Sequence, residues 1–409
     1  MPRKKQTGRK ARDEAVDGED GDQRIDDEQV DDETPTSGGL ESVEAAIDQL
    51  LESRTTTREK ALQEVKKGLQ LHYAYDLVEK WRTTLSEGIM RGLKKGREAE
   101  FKLAAQLLDV VVLTLGAESE ELYAEFSPVL SVFIKDPTAS SVAATSFALL
   151  TFVGCTDQVS IKENVKMLEE TFTGTHSTAF LPAVLRAWGL LLSTMPVKYI
   201  ETEALPKYGK KLVALLDLDE FEARLAAGEI IALLFDVLQE AKEDAEEEFD
   251  LADYESCLDI DDLIDKLKEL SATSGHHISK KDKAKLKSSF KDILRSVESG
   301  SVPTETITVG STKVEFHSWE RLVQLNFVRQ TLAEGTLVHF ESNELLQQIF
   351  GFTATTKAQK PQYSKLEKRL YLSANSAAAK DQTLAMRRSR QNFGRESKTR
   401  LFARDEEDD

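Results

Sequence analysis

The stretch VEAAIDQLLESRTTTREKALQEVKKGLQ, residues 43–70, decides how the chain folds. Val43, Ile47, Leu50 and Leu51 recur at the spacing that gathers them on one side of a helix. The polar ESRTTTR that follows interrupts this stripe, a threonine is expected to cap a second helix, and Leu62, Val65 and Leu69 rebuild it. Each helix has one apolar face that it cannot bury alone, so the pair predicts packing against further helices.

The same pattern continues outward from this pair. Amphipathic helices are expected in YDLVEKWRTTLSEGIMRGLKK (75–95), EAEFKLAAQLLDVVVLTL (98–115), SEELYAEFSPVLSVFIK (119–135) and TASSVAATSFALLTFVG (138–154). More follow in SIKENVKMLEETF (160–172), TAFLPAVLRAWGLLLSTM (178–195), EALPKYGKKLVALLDL (203–218) and EFEARLAAGEIIALLFDVLQ (220–239). No strand-like alternation interrupts them. Helix pairs returning every ~40 residues have the period of armadillo and HEAT arrays, in which each unit buries its apolar face against its neighbours. The fold class expected is therefore all-α: an armadillo/HEAT-like helical solenoid over 40–300. Trp81 and Trp188, both on amphipathic helices, are expected in its core.

Around the array the composition shifts. Residues 1–39 pass from basic MPRKKQTGRKAR to DEAVDGEDGDQRIDDEQVDDETPTSGG and lack apolar periodicity, so they are expected to be a disordered tail. A dense acidic run near 240–262 is expected to be a solvated insertion, leading into a helix through Leu258, Leu263, Ile264, Leu267 and Leu270. In SKKDKAKLKSSFKDILRSVESG (279–300) the sign reverses, and a helix with one basic flank follows. Residues 303–352 form a small ββαα unit. Its hairpin joins TETITVG to TKVEFHSW, and its helices are WERLVQLNFVRQTLAEG and NELLQQIFGF. Helical spacing places Leu345, Leu346, Ile349 and Phe350 against Trp319 and Phe327. Residues 353–409 are a basic tail with the acidic end DEEDD.

A formal net charge of -18 on 409 residues would repel nucleic acid if it were evenly spread. It is not. Between Lys357 and Arg404 thirteen Lys/Arg face three Asp/Glu, with Tyr363, Tyr371, Phe393 and Phe402 interleaved. Cations for phosphates and rings for bases are what RNA contact requires. The candidate RNA-binding residues are Lys365, Lys368, Arg369, Lys380, Arg387, Arg388, Arg390, Arg395, Lys398, Arg400 and Arg404. At the other terminus Arg3, Lys4, Lys5, Arg9, Lys10 and Arg12 suit a nuclear-import or RNA-contact arm.

Other classes find little support. The basic start lacks a signal peptide's apolar region, and no run approaches the ~18 apolar residues of a membrane span, so no membrane role and a soluble, intracellular chain are expected. Cys155 and Cys257 are the only cysteines and no N-x-[ST] sequon occurs, which favours a reducing compartment. There is no H-E-x-x-H, C-x-x-C or G-x-S-x-G, and GFTATTK lacks the second glycine of a phosphate loop. His276 and His277 have no third ligand at useful spacing. The expectation is no enzyme, no cofactor, no metal and no small-molecule substrate.

Several stretches carry a family resemblance: RTTTREKALQEVKKGLQ, LVEKWRTTLSEGIMRGLKKGREAEFKLAAQLL, FIKDPTAS and FHSWERLVQLNFVRQTLAEGTLVHFESNELLQQIF. From about Leu40 to Phe352 the chain resembles the interferon-related developmental regulator family. The first part resembles that family's armadillo-like domain, the ββαα unit its short C-terminal domain, and NSAAAKDQTLAMRRSR its basic tail. The resemblance implies a non-enzymatic protein, associated with inactive ribosomes through a C-terminal segment in RNA-lined channels and with transcriptional co-regulation in the nucleus. Two expectations result. The first is a ribosome-binding translational regulator with rRNA and ribosomal proteins as partners. The second is a nuclear co-regulator whose solenoid is a scaffold for transcriptional regulators. Cytoplasmic and nuclear locations both fit.

Overall fold

The computed structural model describes residues 38–135, 140–174, 180–246, 249–272 and 280–354. Helices pair along the chain: α1 (Gly38–Asp48) with α2 (Thr55–Leu71), then, after the short α3 (Tyr75–Lys80), α4 (Arg82–Lys95) with α5 (Glu98–Leu115). The pattern continues with α6 (Glu120–Phe133) and α7 (Ser140–Gly154), and with α8 (Gln158–Gly174) and α9 (Leu181–Leu192). After the single turn α10 (Val197–Tyr199) come α11 (Leu205–Leu215) with α12 (Phe221–Asp244), and α13 (Ile260–Ala272) with α14 (Lys280–Ser299). The second helix of each pair packs on the second helix of the next, so α2, α5, α7, α9, α12 and α14 form a continuous inner layer.

The sequence explains this layering. In α5 the residues from Leu107 to Leu115 are all buried, because the helix is covered by α4 on one side and by α2 and α7 on others. The first helices of the pairs keep one polar face, as the amphipathic spacing requires. A buried ion pair ties the first two inner helices together: Arg58 donates from Nε to Glu100 Oε1 at 2.6 Å and from Nη2 to Glu100 Oε2 at 3.0 Å. The Arg58 Nη1 also donates to the carbonyls of Glu52 and Ser53, so all faces of the guanidinium are used.

Trp188 is fully buried, with its ring centroid 4.9 Å from Phe172 and 5.4 Å from Tyr208. Beside it Glu169, 2% exposed, accepts hydrogen bonds from Tyr199 and Tyr208, each at 2.8 Å. The π-turn Ile200–Ala204 between α10 and α11 lies between these two tyrosines. Trp81 departs from expectation. Its backbone (φ -104°, ψ 14°) breaks the single helix expected over 75–95 into α3 and α4. The indole is half-buried, donating from Nε1 to Glu44 at 3.0 Å, because at a helix joint it has polar neighbours on one side.

The acidic run that begins in the last turn of α12 is only partly solvated. Its carboxylates Glu243, Asp244, Asp253 and Glu255 are exposed, but Tyr254 is buried and Phe249 stacks on it, both edge-on to Phe235. The aromatic residues pin the connection to α12.

The C-terminal unit opens with β1 (Glu305–Val309) and β2 (Thr312–Phe316), antiparallel around a Gly310–Ser311 turn, with Ile307 opposite Val314. Three helices follow rather than two: α15 (Trp319–Leu332), α16 (Thr336–Ser342) and α17 (Glu344–Ile349). Phe350 packs edge-on against Phe316 and stacks on Phe340, whereas the Trp319 indole donates to Ser296 of α14 at 2.7 Å. Hairpin, helices and array share one continuous core. No helix among the described residues is long and apolar enough to cross a membrane.

Candidate functional site

The C-terminal unit is the element from which the basic tail departs, and its placement follows from residues that bond across the array. At its start the amide of Trp319 donates to Asp236 Oδ2 of α12 at 2.7 Å. Burial pushes the Asp236 carboxyl up to about 6, and the Trp319 amide pulls the other way. One turn of helix later Gln324 donates to Ser193 Oγ, just past α9, at 3.0 Å. At the far end Gln70 of α2 donates to the Thr331 carbonyl at 2.6 Å. Thus α15 lies along the inner layer from α12 past α9 to α5 and α2.

The next turn locks the unit onto α2. A Cβ on Gly335 would sit 1.6 Å from the Gln70 carbonyl oxygen, so only glycine permits this approach. His339, fully buried, donates from Nε2 to the Leu69 carbonyl at 2.9 Å, and its Nδ1 has no partner. Burial lowers the imidazole's pKa against the pull of these carbonyls, which favours the neutral ring. Asn343 donates to the Leu113 carbonyl of α5 at 2.8 Å while its Oδ1 caps α17 by accepting from the Leu345 amide. Arg321 reaches the Ile349 carbonyl and closes the unit. The chain is then held to Ala354, whose amide faces Gln347.

Where α15 ends against the inner layer, a cleft of about 480 Å³ remains, lined by Lys66, Gln70, Lys102, Gln106, Asp109 and Thr145 among others. Asp109 is 6% exposed with Oδ1 unpartnered. Burial pushes its carboxyl up to about 7, opposed only by the neighbouring Ser146 hydroxyl. Lys66 donates to Gln106 at 3.0 Å, and burial lowers its pKa, with Lys102 adding to the effect. Among the described residues no group of three or more His, Cys, Asp or Glu is arranged to hold a metal ion.

The candidate RNA-binding residues Lys365, Lys368, Arg369, Lys380, Arg387, Arg388, Arg390, Arg395, Lys398, Arg400 and Arg404 lie outside the described residues. So do Arg3, Lys4, Lys5, Arg9, Lys10 and Arg12 of the N-terminal arm, and the His276–His277 pair. What sequence reading missed is the anchoring set: Gln70, Asp236, Gln324, His339 and Asn343. Asn343 both caps α17 and bonds a carbonyl 230 positions away, a pairing that no local spacing reveals.

Comparison with known proteins gives two family matches. The model of the interferon-related developmental regulator family matches residues 13–298, and the interferon-related protein conserved region matches residues 343–392. The second match begins at the cap of α17 and runs into the basic tail, so it overlaps the C-terminal unit only at its last helix. Interferon-related developmental regulator 1 of Sus scrofa is 33% identical over 88% of this chain and 82% of its own. Interferon-related developmental regulator 2 of Mus musculus is 31% identical over 89% and 85%. An uncharacterized protein of Schizosaccharomyces pombe is 23% identical over 77% and 75%.

Proposed function

This chain belongs to the interferon-related developmental regulator family, and from that premise we propose that it is a non-enzymatic ribosome-binding translational regulator. Its array is of the armadillo/HEAT kind, by its ~40-residue period. Its basic tail contacts rRNA, and its partners are inactive ribosomes. The observation that carries this reading is the segregation of charge: thirteen Lys/Arg against three Asp/Glu from Lys357 to Arg404, in a chain of net charge -18. An acidic body with a basic extension orients itself on a polyanion, because the body is repelled and the extension attracted.

The anchored C-terminal unit supports the same reading. A tail that leaves from a fixed point loses less entropy on docking than one on a loose linker. The second reading, a nuclear transcriptional co-regulator built as a scaffold, draws on the arm from Arg3 to Arg12. Because α15 lies across the inner layer, such a scaffold would offer its outer helices. Cytoplasmic and nuclear locations accordingly both belong to the proposal.

The separating experiment is sedimentation of the endogenous protein through a gradient, with and without nuclease. Co-migration with ribosomal fractions that survives light nuclease treatment supports ribosome binding. A protein that stays at the top under both conditions contradicts it and favours the scaffold.

A further inference from the structure

We infer a second polyanion contact on the folded body: the edge of the array formed by the α1–α2 and α4–α5 turns, which takes the phosphate backbone of RNA. The identity of the polyanion rests on the ribosome-binding reading, whereas the existence of the surface does not.

The sequence RGLKKGR (91–97) holds four cations and no carboxylate. It spans the end of α4 and the turn into α5, and Lys94, Lys95 and Arg97 are exposed. The turn is tight, since a Cβ on Gly96 would lie 2.2 Å from the Gly92 carbonyl oxygen. Beside it stands the turn that carries exposed Arg54. Two arginine side chains fix the turns to each other. Arg91 donates to the Leu51 carbonyl at 2.7 Å, and Arg58 holds the Glu52 and Ser53 carbonyls while paired with Glu100 in the first turn of α5.

Arg54, Lys94, Lys95 and Arg97 form no ion pair among the described residues, although acids outnumber bases by 72 to 54 in the chain. Exposed cations elsewhere divide: Lys80 pairs with Glu44 and Lys162 with Glu203, whereas Lys198, Lys210 and Lys291 have no ion pair among the described residues but stand apart in the sequence, so what distinguishes this edge is four cations within seven residues. Like charges held together on stiff backbone repel one another, and a polyanion relieves that repulsion while releasing its own counterions. At the corresponding turn before α12 the sign is opposite: Asp217, Asp219, Glu220 and Glu222. The positive edge does not recur at that turn.

The last described helix, α17, sits at the other edge. Leu345 of α17 packs by Gly116, at the opposite end of α5 from Arg97. An 18-residue helix separates them, a span of about 27 Å. RNA bound by tail and edge together is held at two points, so the loss of either weakens binding by more than its own contacts.

The test uses the full chain and a fluorescent single-stranded RNA oligonucleotide across a salt series. Four proteins are compared: intact, Lys94→Gln/Lys95→Gln/Arg97→Gln, a tail variant with Arg387, Arg388 and Arg390 changed to Glu, and a control with Lys198, Lys210 and Lys291 changed to Gln. The edge variant melts with the intact protein, because its side chains are exposed and unpaired. It is expected to flatten the log–log salt slope by about 2, from roughly 0.7 per phosphate contact on single strands. Equal slopes for edge variant and intact protein overturn the inference, as does equal flattening by the control or no RNA binding by the intact chain. Ribosome pelleting of the same proteins is read separately: if none pellets while the oligonucleotide result holds, the ribosome reading falls and the surface stands.

Discussion

Two buried side chains show how differently single residues register in a sequence. Trp188 was legible, because Leu185, Leu192 and Met195 surround it at helical spacing, and the ring is fully buried between Phe172 and Tyr208. Trp188→Ala is expected to cost ~3–5 kcal/mol, read as a lower denaturant midpoint, with any loss of binding explained by unfolding. A variant that keeps its midpoint but loses binding would make Trp188 a contact residue instead. Asp109 was not legible. It interrupts the apolar run of α5 as a solvated carboxylate would, and only its three-dimensional neighbours bury it. Its carboxyl is raised to about 7 in the folded chain, so its contribution is fully present below the ordinary aspartate range and is lost as pH rises through about 7. Asp109→Asn should therefore raise Tm more at pH 8 than at pH 5. An equal change at both pH values would show that the folded carboxyl does not titrate there.

At the scale of elements, the paired helices of the array were readable from spacing alone, since each has to bury one stripe. The C-terminal unit was readable only in part. The hairpin followed from alternation about a glycine turn, but α16 was missed. Its sequence TLVHFES carries β-branched residues, and its helix is held by the tertiary bond from His339 to the Leu69 carbonyl rather than by propensity. The ring partners of Phe350 were misplaced because hairpin and α16 fold over α17, which no local period reveals. Leu346 is fully buried in this unit. Leu346→Asp should open new protease sites between α15 and Ala354 and weaken tail-dependent binding, with the helical array intact. A digestion pattern identical to the parent's would mean that the unit does not depend on this packing. Acidification acts at the same junction. Because burial lowers the His339 pKa, its stabilising effect is present above the ordinary histidine range and lost as pH falls below it. Cleavage near α16 should therefore increase from pH 7.5 to pH 5.5 in the parent and change less in His339→Gln.

At the scale of the whole molecule, we propose that a mainly acidic chain meets RNA through the positive charge it has segregated. The array gives the chain its length, α15 ties that length together from α12 to α2, and α17 fixes where residues beyond Ala354 begin. The charge division was plain in the sequence, whereas the route of α15 over the inner layer was not, because bonds such as Gln70 to Thr331 join residues 261 positions apart. The most direct measurement is ribosome pelleting across a salt series with the intact protein, a truncation after Thr356, and the variant with Arg387, Arg388 and Arg390 changed to Glu. The intact protein should pellet with a steep loss at rising salt, and both variants should pellet less and with flatter slopes, by roughly 0.7 per lost contact if the RNA is single-stranded. Variants that pellet as well as the intact protein, with the same slope, would contradict the proposal.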